Sequence, residues 1–148
     1  MANAPSAAVQ RLVDVVAQLR NPATGCPWDL EQTHASLVPY VLEEAHEVAD
    51  AIRHGDDNEL KNELGDLLLQ VVLHAQIAGE EQRFDLDAIA DGISDKLIRR
   101  HPHVFGDADA STSDEVRRSW EAIKLEEQAE ALASSSSPLS DRLRTKVR

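Results

Sequence analysis

The chain has little of several residue types on which other protein classes depend. Cys26 is its only cysteine, so no internal disulfide can form, and the sequence is typical of a reducing compartment. Aromatic side chains make up 3% of the residues, which favours a core of packed helices over a β-sandwich. No apolar run approaches the ~18 residues of a membrane span, and the N-terminal segment lacks the pattern of a secretory signal. We therefore expect a cytoplasmic protein with no membrane partner.

Basic residues are also scarce. The chain has 15 Lys and Arg residues and 27 Asp and Glu residues, and its formal charge of −12 argues against a surface that binds nucleic acid. This charge does not exclude a single nucleotide that is held through a metal ion. The 148 residues are enough for one domain with a real core. We expect that domain at residues 1–132, followed by a Ser-rich, disordered tail at residues 133–148.

Hydrophobic spacing predicts an all-α fold. Aliphatic side chains recur at helical spacing in five segments, which polar, Pro-containing or Gly-containing stretches separate. The predicted helices cover about residues 6–20, 36–53, 57–80, 86–100 and 112–132. The third is apolar on nearly every side except one polar band, which suggests that a partner subunit covers it. We expect a bundle of helical hairpins that is assembled as a homo-oligomer, a homodimer or larger.

Acidic side chains recur three residues apart within two of these helices. Glu44 and Glu47 lie on the second helix, and Glu63 and Asp66 lie on the third, so each pair projects from adjacent turns. The short connection makes the two helices antiparallel neighbours, and four carboxylates converge if the two acidic bands face each other. Hard oxygen ligands without a cysteine cage suit Mg²⁺ or Mn²⁺. The spacing therefore predicts a metal site.

Two other interpretations of these acids remain open from the residues alone. A run of acids in an acidic chain is commonly the solvated face of a helix. Glu43 and His46 also form a Glu-x-x-His pair of the kind found in di-iron centres. That architecture requires a second such pair on another helix, and none of the other four predicted helices contains one.

A second group of candidate residues lies in the C-terminal half. Lys96, Arg99 and Arg100 cluster at the end of the fourth helix, where they can bind a polyphosphate or complement the helix dipole. Trp120 and Lys124 lie one turn apart on the fifth helix. An aromatic plane beside an ammonium group can hold a base and a phosphate, although a single Trp is more often a packing residue.

Together these residues resemble the MazG family of nucleoside triphosphate pyrophosphohydrolases. The family's metal motif is Glu-x-x-Glu, a variable spacer and Glu-x-x-Asp, which the two acidic pairs match. The strings CPWDLEQTHASLVPYVLEEAHEV, ELGDLLLQVVLHAQ, SDKLIRRHPHVFG and SWEAIKLEE extend the resemblance over roughly residues 10–130. It implies an all-α enzyme that uses Mg²⁺ to hydrolyse a nucleoside triphosphate between the α and β phosphates. The products are the monophosphate and pyrophosphate, and the family members are dimers or larger.

The resemblance also implies a role for each candidate residue. The metal ligands are Glu44, Glu47, Glu63 and Asp66. The substrate-binding residues are Lys96 and Arg100 at the phosphates, with Arg99 in the same basic cluster, and Trp120 and Lys124 near the base and phosphates. From the chemistry of the residues we expect the general base to be one of Glu43, Glu44 and Glu47, and the sequence does not choose among them. The alternative is a catalytically silent protein that binds a nucleotide or another protein through the same helical surface.

Overall fold

The computed structural model of the protein describes residues 5–134, and each regular element in this range is a helix. The helices are α1 (Pro5–Leu19), α2 (Pro27–Glu31), α3 (His34–His54), α4 (Asp57–Glu80), α5 (Leu86–Arg100), α6 (Pro102–Phe105) and α7 (Ser113–Ser134). The predicted all-α fold is confirmed. Within the described range, no helix is long and apolar enough to cross a membrane. Residues 135–148 of the predicted tail lie outside the described residues.

Two short helices, α2 and α6, are absent from the five predicted from hydrophobic spacing. They have five and four residues, which is too short for a repeating apolar face. Each has a proline in its first turn, Pro27 or Pro102, where the missing N–H costs least. The other helices correspond to the five predicted segments, and their ends agree within about two residues.

The described residues divide into two compact units, unit 1 up to Ile89 and unit 2 from Ala90, so the boundary lies inside α5. In unit 1, α3 and α4 form a helical hairpin, and α1 packs against α4. The core of unit 1 is aliphatic, as the scarcity of aromatic residues requires. It consists of Val16 from α1, Leu37 from α3, and Val72, Leu73 and Ile77 from α4.

Two residues with opposite capping roles make the turn between α3 and α4. Gly55 ends α3 with a φ of 75°, a left-handed conformation that favours glycine, and its N–H donates to the carbonyl of Ala51 at 3.1 Å. Asp56 then begins α4, because its carboxylate accepts hydrogen bonds from the backbone N–H groups of Asn58 and Glu59. The chain therefore reverses direction within two residues, which keeps the facing sides of α3 and α4 in register.

Arg20 joins three parts of unit 1 immediately after the end of α1. The residue is only 9% exposed. Its Nε and Nη2 atoms donate to the two carboxylate oxygens of Glu80, each at 2.9 Å. Its Nη1 atom donates to the backbone carbonyls of Asp29 at 2.5 Å and Gln32 at 3.2 Å. The hydrogen bonds from Arg20 hold the pKa of Glu80 below its usual range.

Three side chains form a second polar contact in unit 1, near the start of α3. The Nδ1 atoms of His34 and His74 lie 2.6 Å apart, and their rings are nearly parallel, at 8°, with centroids 4.9 Å apart. Arg83 donates from Nη2 to Nε2 of His34 at 2.6 Å. Because arginine can only donate, the proton of His34 lies on Nδ1 and is donated to Nδ1 of His74. The imidazole of His74 is therefore neutral in this arrangement.

Acidification is expected to destabilise the protein through His74. Burial, followed by the neighbouring His34, lowers the pKa of His74 below its ordinary value of 6.5. As the pH falls below that value, the unfolded chain binds this proton before the folded chain does, so the free energy of unfolding decreases. The contribution is complete above pH 6.5 and is lost as the pH approaches the lowered pKa of the folded state.

Urea unfolding at about pH 7.5 and about pH 5.5 measures this effect. His74→Gln, whose amide oxygen can still accept from His34, should lose less stability between the two pH values than the wild type loses. His46→Gln, at an exposed position of α3, is the matched control and should keep the wild-type pH dependence. An identical loss in all three proteins would show that His74 does not carry the effect.

Candidate active site

Three carboxylates from α3 and α4 lie together in unit 1. One oxygen atom from each of Glu44, Glu63 and Asp66 lies within 4.8 Å of the other two. Glu63 and Asp66 project from adjacent turns of α4, and the tight turn between the helices brings Glu44 of α3 opposite them. The structure therefore brings together three of the four acids predicted as metal ligands. Glu47, the fourth, is exposed and lies outside this set of three.

The three acids repel one another, and this repulsion affects the protonation of Glu44 and Glu63. Burial, followed by the charges of Asp66 and Glu63, raises the pKa of Glu44. Burial, followed by Glu47 and Asp66, raises the pKa of Glu63. Glu47 is thus close enough to act electrostatically on the cluster, although it is outside the set of three.

The oxygen atoms of the cluster fit a hard divalent cation. The Oε2 atom of Glu44 is buried and has no hydrogen-bond partner. A buried carboxylate oxygen without a partner is unfavourable, and a cation with oxygen ligands would satisfy it. No thiol or imidazole belongs to this set of three, so its donors suit Mg²⁺ or Mn²⁺ better than a soft metal.

The other candidates for the general base lie beside the cluster on α3. Glu43 and Glu47 are both exposed, and both help to raise the pKa of Glu44 through their charge. They are four residues apart and therefore share one side of α3. Neither belongs to the set of three, so each is available to accept a proton. The identity of the base stays a prediction.

In unit 2, two of the predicted phosphate-binding residues pair with an acid that the sequence did not indicate. Arg99 and Arg100, at the end of α5, both donate to the carboxylate of Glu127 in α7, with shortest distances of 2.5 Å and 2.8 Å. The hydrogen bonds from Arg100 and then Arg99 lower the pKa of Glu127 to about 2. Lys96 is half-buried one turn before Arg100. Phosphate binding by these three basic residues stays a prediction.

A cavity of about 670 Å³ lies beside Trp120 in unit 2. Its lining includes His101, Thr112, Arg117 and Trp120, so aromatic and polar groups face the same space. The His101 and Trp120 rings meet edge to face, with centroids 5.0 Å apart. The volume is in the range of small-ligand pockets. Lys124 is exposed on α7 one turn beyond Trp120.

Comparison with known proteins identifies the family. A family model described as the MazG nucleotide pyrophosphohydrolase domain matches residues 32–105, which is half of the chain. The chain belongs to the MazG family. The matched segment includes both acidic pairs and the basic cluster on α5, whereas Trp120, Lys124 and Glu127 lie beyond it.

Curated relatives of this MazG chain are similar to it over most of its length. It is 56% identical over 122 residues to the nucleoside triphosphate pyrophosphohydrolase of Escherichia coli (strain K12), covering 82% of this chain and 46% of that protein. It is 46% identical over 125 residues to the nucleoside triphosphate pyrophosphohydrolase/pyrophosphatase MazG of Thermotoga maritima, covering 84% of this chain and 47% of that protein. The chain therefore spans less than half the length of each relative.

A solved MazG structure has the same fold. The crystal structure of a mazG-related protein from Thermotoga maritima matches with a TM-score of 0.64 at 26% identity. The match covers 78% of this chain and 98% of that chain. The predicted all-α architecture and the predicted family are thus confirmed by independent comparisons of structure and sequence.

Proposed function

We propose that the protein is a metal-dependent nucleoside triphosphate pyrophosphohydrolase that cleaves between the α and β phosphates. The observation that carries the proposal is the convergence of Glu44, Glu63 and Asp66 within a segment that matches the MazG domain. Three carboxylates at this separation are unfavourable as a group of free anions, and a divalent cation offsets their repulsion. The names of the two relatives support the substrate class.

The acids of α3 and α4 have different proposed roles at the candidate metal site. Glu44, Glu63 and Asp66 would hold Mg²⁺ or Mn²⁺, and Glu47 would complete the set of four. Such a cation neutralises a polyphosphate and lowers the pKa of a bound water. Glu43, exposed at the edge of the cluster, accepts the proton of the attacking water as general base, and Glu47 has this role only if it is not a ligand.

Unit 2 carries the other residues that we propose bind a nucleotide. Lys96, Arg99 and Lys124 carry positive charge that binds phosphate oxygens. The indole of Trp120 offers a flat face on which a base can stack, beside a cavity large enough for a nucleoside. Stacking of this kind accepts any base, so the common and the oxidised nucleoside triphosphates are both candidate substrates in the nucleotide pool.

Product analysis with each common and oxidised nucleoside triphosphate tests the proposal. With Mg²⁺ or Mn²⁺, we expect equal amounts of nucleoside monophosphate and pyrophosphate, and no release after chelation. Nucleoside diphosphate and phosphate as products would instead contradict cleavage between the α and β phosphates. Thermal stabilisation by a nucleotide without any turnover would favour the catalytically silent nucleotide-binding protein.

We also propose that the protein is a homodimer or larger homo-oligomer. On α4, Leu64, Leu68 and Val71 recur one turn apart and are 47%, 42% and 39% exposed. Burying this stripe against a second copy would remove its apolar surface from water. Light scattering is expected to give a multiple of 16.3 kDa, which Leu68→Lys should reduce. Val15→Lys, at a similarly exposed apolar position of α1, is the control, and a monomeric wild type would contradict the proposal.

A further inference from the structure

Glu127 is the common partner of two arginines in unit 2. Oε1 accepts a hydrogen bond from Nε of Arg99 at 2.5 Å, and Oε2 accepts from Nη2 and Nε of Arg100 at 2.8 Å and 3.3 Å. The side chains of Glu127 and Arg100 are 23% and 10% exposed. Two guanidinium groups this close repel each other, and the single carboxylate between them offsets that repulsion. Glu127 therefore determines where both arginines lie.

Arg100 also contacts an aromatic ring. Its Cζ atom lies 5.2 Å from the centre of the Trp120 ring, within the range of a cation–π interaction. Because Arg100 is buried and its guanidinium already binds Glu127, it is better placed to hold the indole than to bind a phosphate. His101 contacts the same indole edge to face, and its Nδ1 atom donates to the carbonyl of Leu97 at 2.6 Å. The ring of Trp120 is thus held by two side chains that are themselves fixed.

The fixed indole lines the cavity, whereas the residues that fix it through charge do not. Trp120 is among the lining residues of the cavity of about 670 Å³, and neither Arg100 nor Glu127 is. Glu127 therefore acts on a ligand in this cavity through the side chains that it holds, which are Arg99 directly and Trp120 by way of Arg100. A stacked base requires a flat ring at a defined orientation, so that position affects binding directly.

We propose that Glu127 is a positioning residue for nucleoside binding, because it holds Arg100 against Trp120 and so fixes the indole face beside the cavity. This inference rests on the proposed function, in which Trp120 binds the base. It changes the role of Arg100 from a contact with phosphate to a support for the aromatic ring. Arg99, which is more exposed, keeps a guanidinium that can reach a ligand.

The test compares three substitutions in a Trp28→Phe background. The chain has two tryptophans, so Trp120 is then the only one left to report fluorescence. Arg99 and Arg100 bond to different oxygens of Glu127, and Glu127→Gln replaces one of these oxygens with an NH2 group that cannot accept from the guanidinium facing it. Glu127→Asp keeps the charge at a shorter reach. Glu126→Gln removes one charge from an exposed neighbouring position of the same helix and is the matched control.

The first measurement is the fluorescence of Trp120 without nucleotide. Glu127→Gln is expected to increase the quenching of Trp120 by acrylamide, because the indole is no longer held by Arg100. Glu127→Asp should give a smaller increase, and Glu126→Gln should match the background protein. Circular dichroism checks that each variant is folded. If Glu127→Gln is not folded, the same comparison is made with Glu127→Asp.

The second measurement is binding of ATP by calorimetry, together with steady-state kinetics. Glu127→Gln is expected to weaken ATP binding about 10-fold, within the range of an ordered cation–π contact. KM should rise by a similar factor, while kcat changes less than about two-fold, because base binding is uniform in the ground and transition states. Glu127→Asp should recover part of the affinity.

Unchanged quenching in Glu127→Gln would overturn the positioning role, and changed quenching with unchanged ATP affinity would overturn its connection to the ligand. A fall in kcat at constant KM would also overturn it. A wild type that binds ATP without hydrolysing it would contradict the proposed activity alone, since quenching and calorimetry do not require turnover. A wild type that does not bind ATP would overturn both proposals.

Discussion

Replacing Glu63 with glutamine is expected to reduce metal-dependent pyrophosphate release by at least about 100-fold. Loss of a residue that only supports a metal ligand costs up to about 100-fold, and loss of a ligand should cost at least as much. The amide keeps the size of the side chain, but it removes one of three anionic groups whose oxygens lie within 4.8 Å of one another. A hard divalent cation binds a neutral amide less strongly than a carboxylate. Steady-state release of pyrophosphate at saturating Mg²⁺ measures the effect.

The same substitution should have the opposite effect on stability when no metal is added. The charges of Glu47 and Asp66 help to raise the pKa of Glu63, which shows that the cluster is repulsive. Removing one charge from it should therefore raise the melting temperature of the metal-free protein. Addition of Mg²⁺ should then raise the melting temperature of the wild type more than that of Glu63→Gln.

Activity and the melting temperature together distinguish a metal ligand from a residue that stabilises the fold. Asp91→Asn removes an exposed carboxylate from α5, and it should keep wild-type activity and wild-type stabilisation by Mg²⁺. A Glu63→Gln protein that is inactive because it is less stable without metal would indicate a role in the fold. Wild-type activity in Glu63→Gln would remove Glu63 from the candidate site.

Arg20→Met is expected to lower the free energy of unfolding by about 2–3 kcal/mol, below the full cost of breaking a buried ion pair because Glu80 is partly exposed. Methionine fills much of the volume of the arginine stem, so the loss reports on hydrogen bonds more than on packing. The substitution removes the hydrogen bonds of Arg20 to Glu80 and to the carbonyls of Asp29 and Gln32. Glu80 then keeps a hydrogen bond from Gln76. Urea unfolding at neutral pH measures this loss of stability.

Two other substitutions calibrate this loss. Glu80→Gln leaves the contacts of Arg20 with the two carbonyls intact and should cost about 1 kcal/mol. Arg53→Met removes an exposed pair with Asp50, whose side chains are 74% and 56% exposed, and should change stability by less than about 0.5 kcal/mol. If Arg20→Met cost no more than Arg53→Met, Arg20 would not join the three parts of unit 1.

The sequence predicts the features of this protein that repeat within one helix or across one short turn. The five long helices are readable because aliphatic residues recur on one side of each over several turns. The meeting of Glu44 with Glu63 and Asp66 follows from three-residue spacing and a connection too short for any arrangement except a hairpin. The two helices of four and five residues have no such repeat.

Contacts between distant segments were not predictable in the same way. Arg99 and Arg100 resemble free cations in the sequence, and their pairing with Glu127 depends on the packing of α5 and α7. Nothing in the spacing of α7 distinguishes Glu127 from its exposed neighbour Glu126, because both are acids in an acidic helix. The four hydrogen bonds of Arg20 were missed for the same reason, since they involve residues in three separate segments.

The turn at Gly55 and Asp56 also bears on how the chain folds. Because only these two residues separate α3 from α4, the carboxylates of Glu44 and Glu63 meet through contacts that are local in the sequence. Local contacts close a short loop and form rapidly, whereas the pairing of Arg20 with Glu80 closes a separation of 60 residues. The repulsive acidic cluster is therefore expected to assemble early in folding, when few other contacts of unit 1 are present to hold it together.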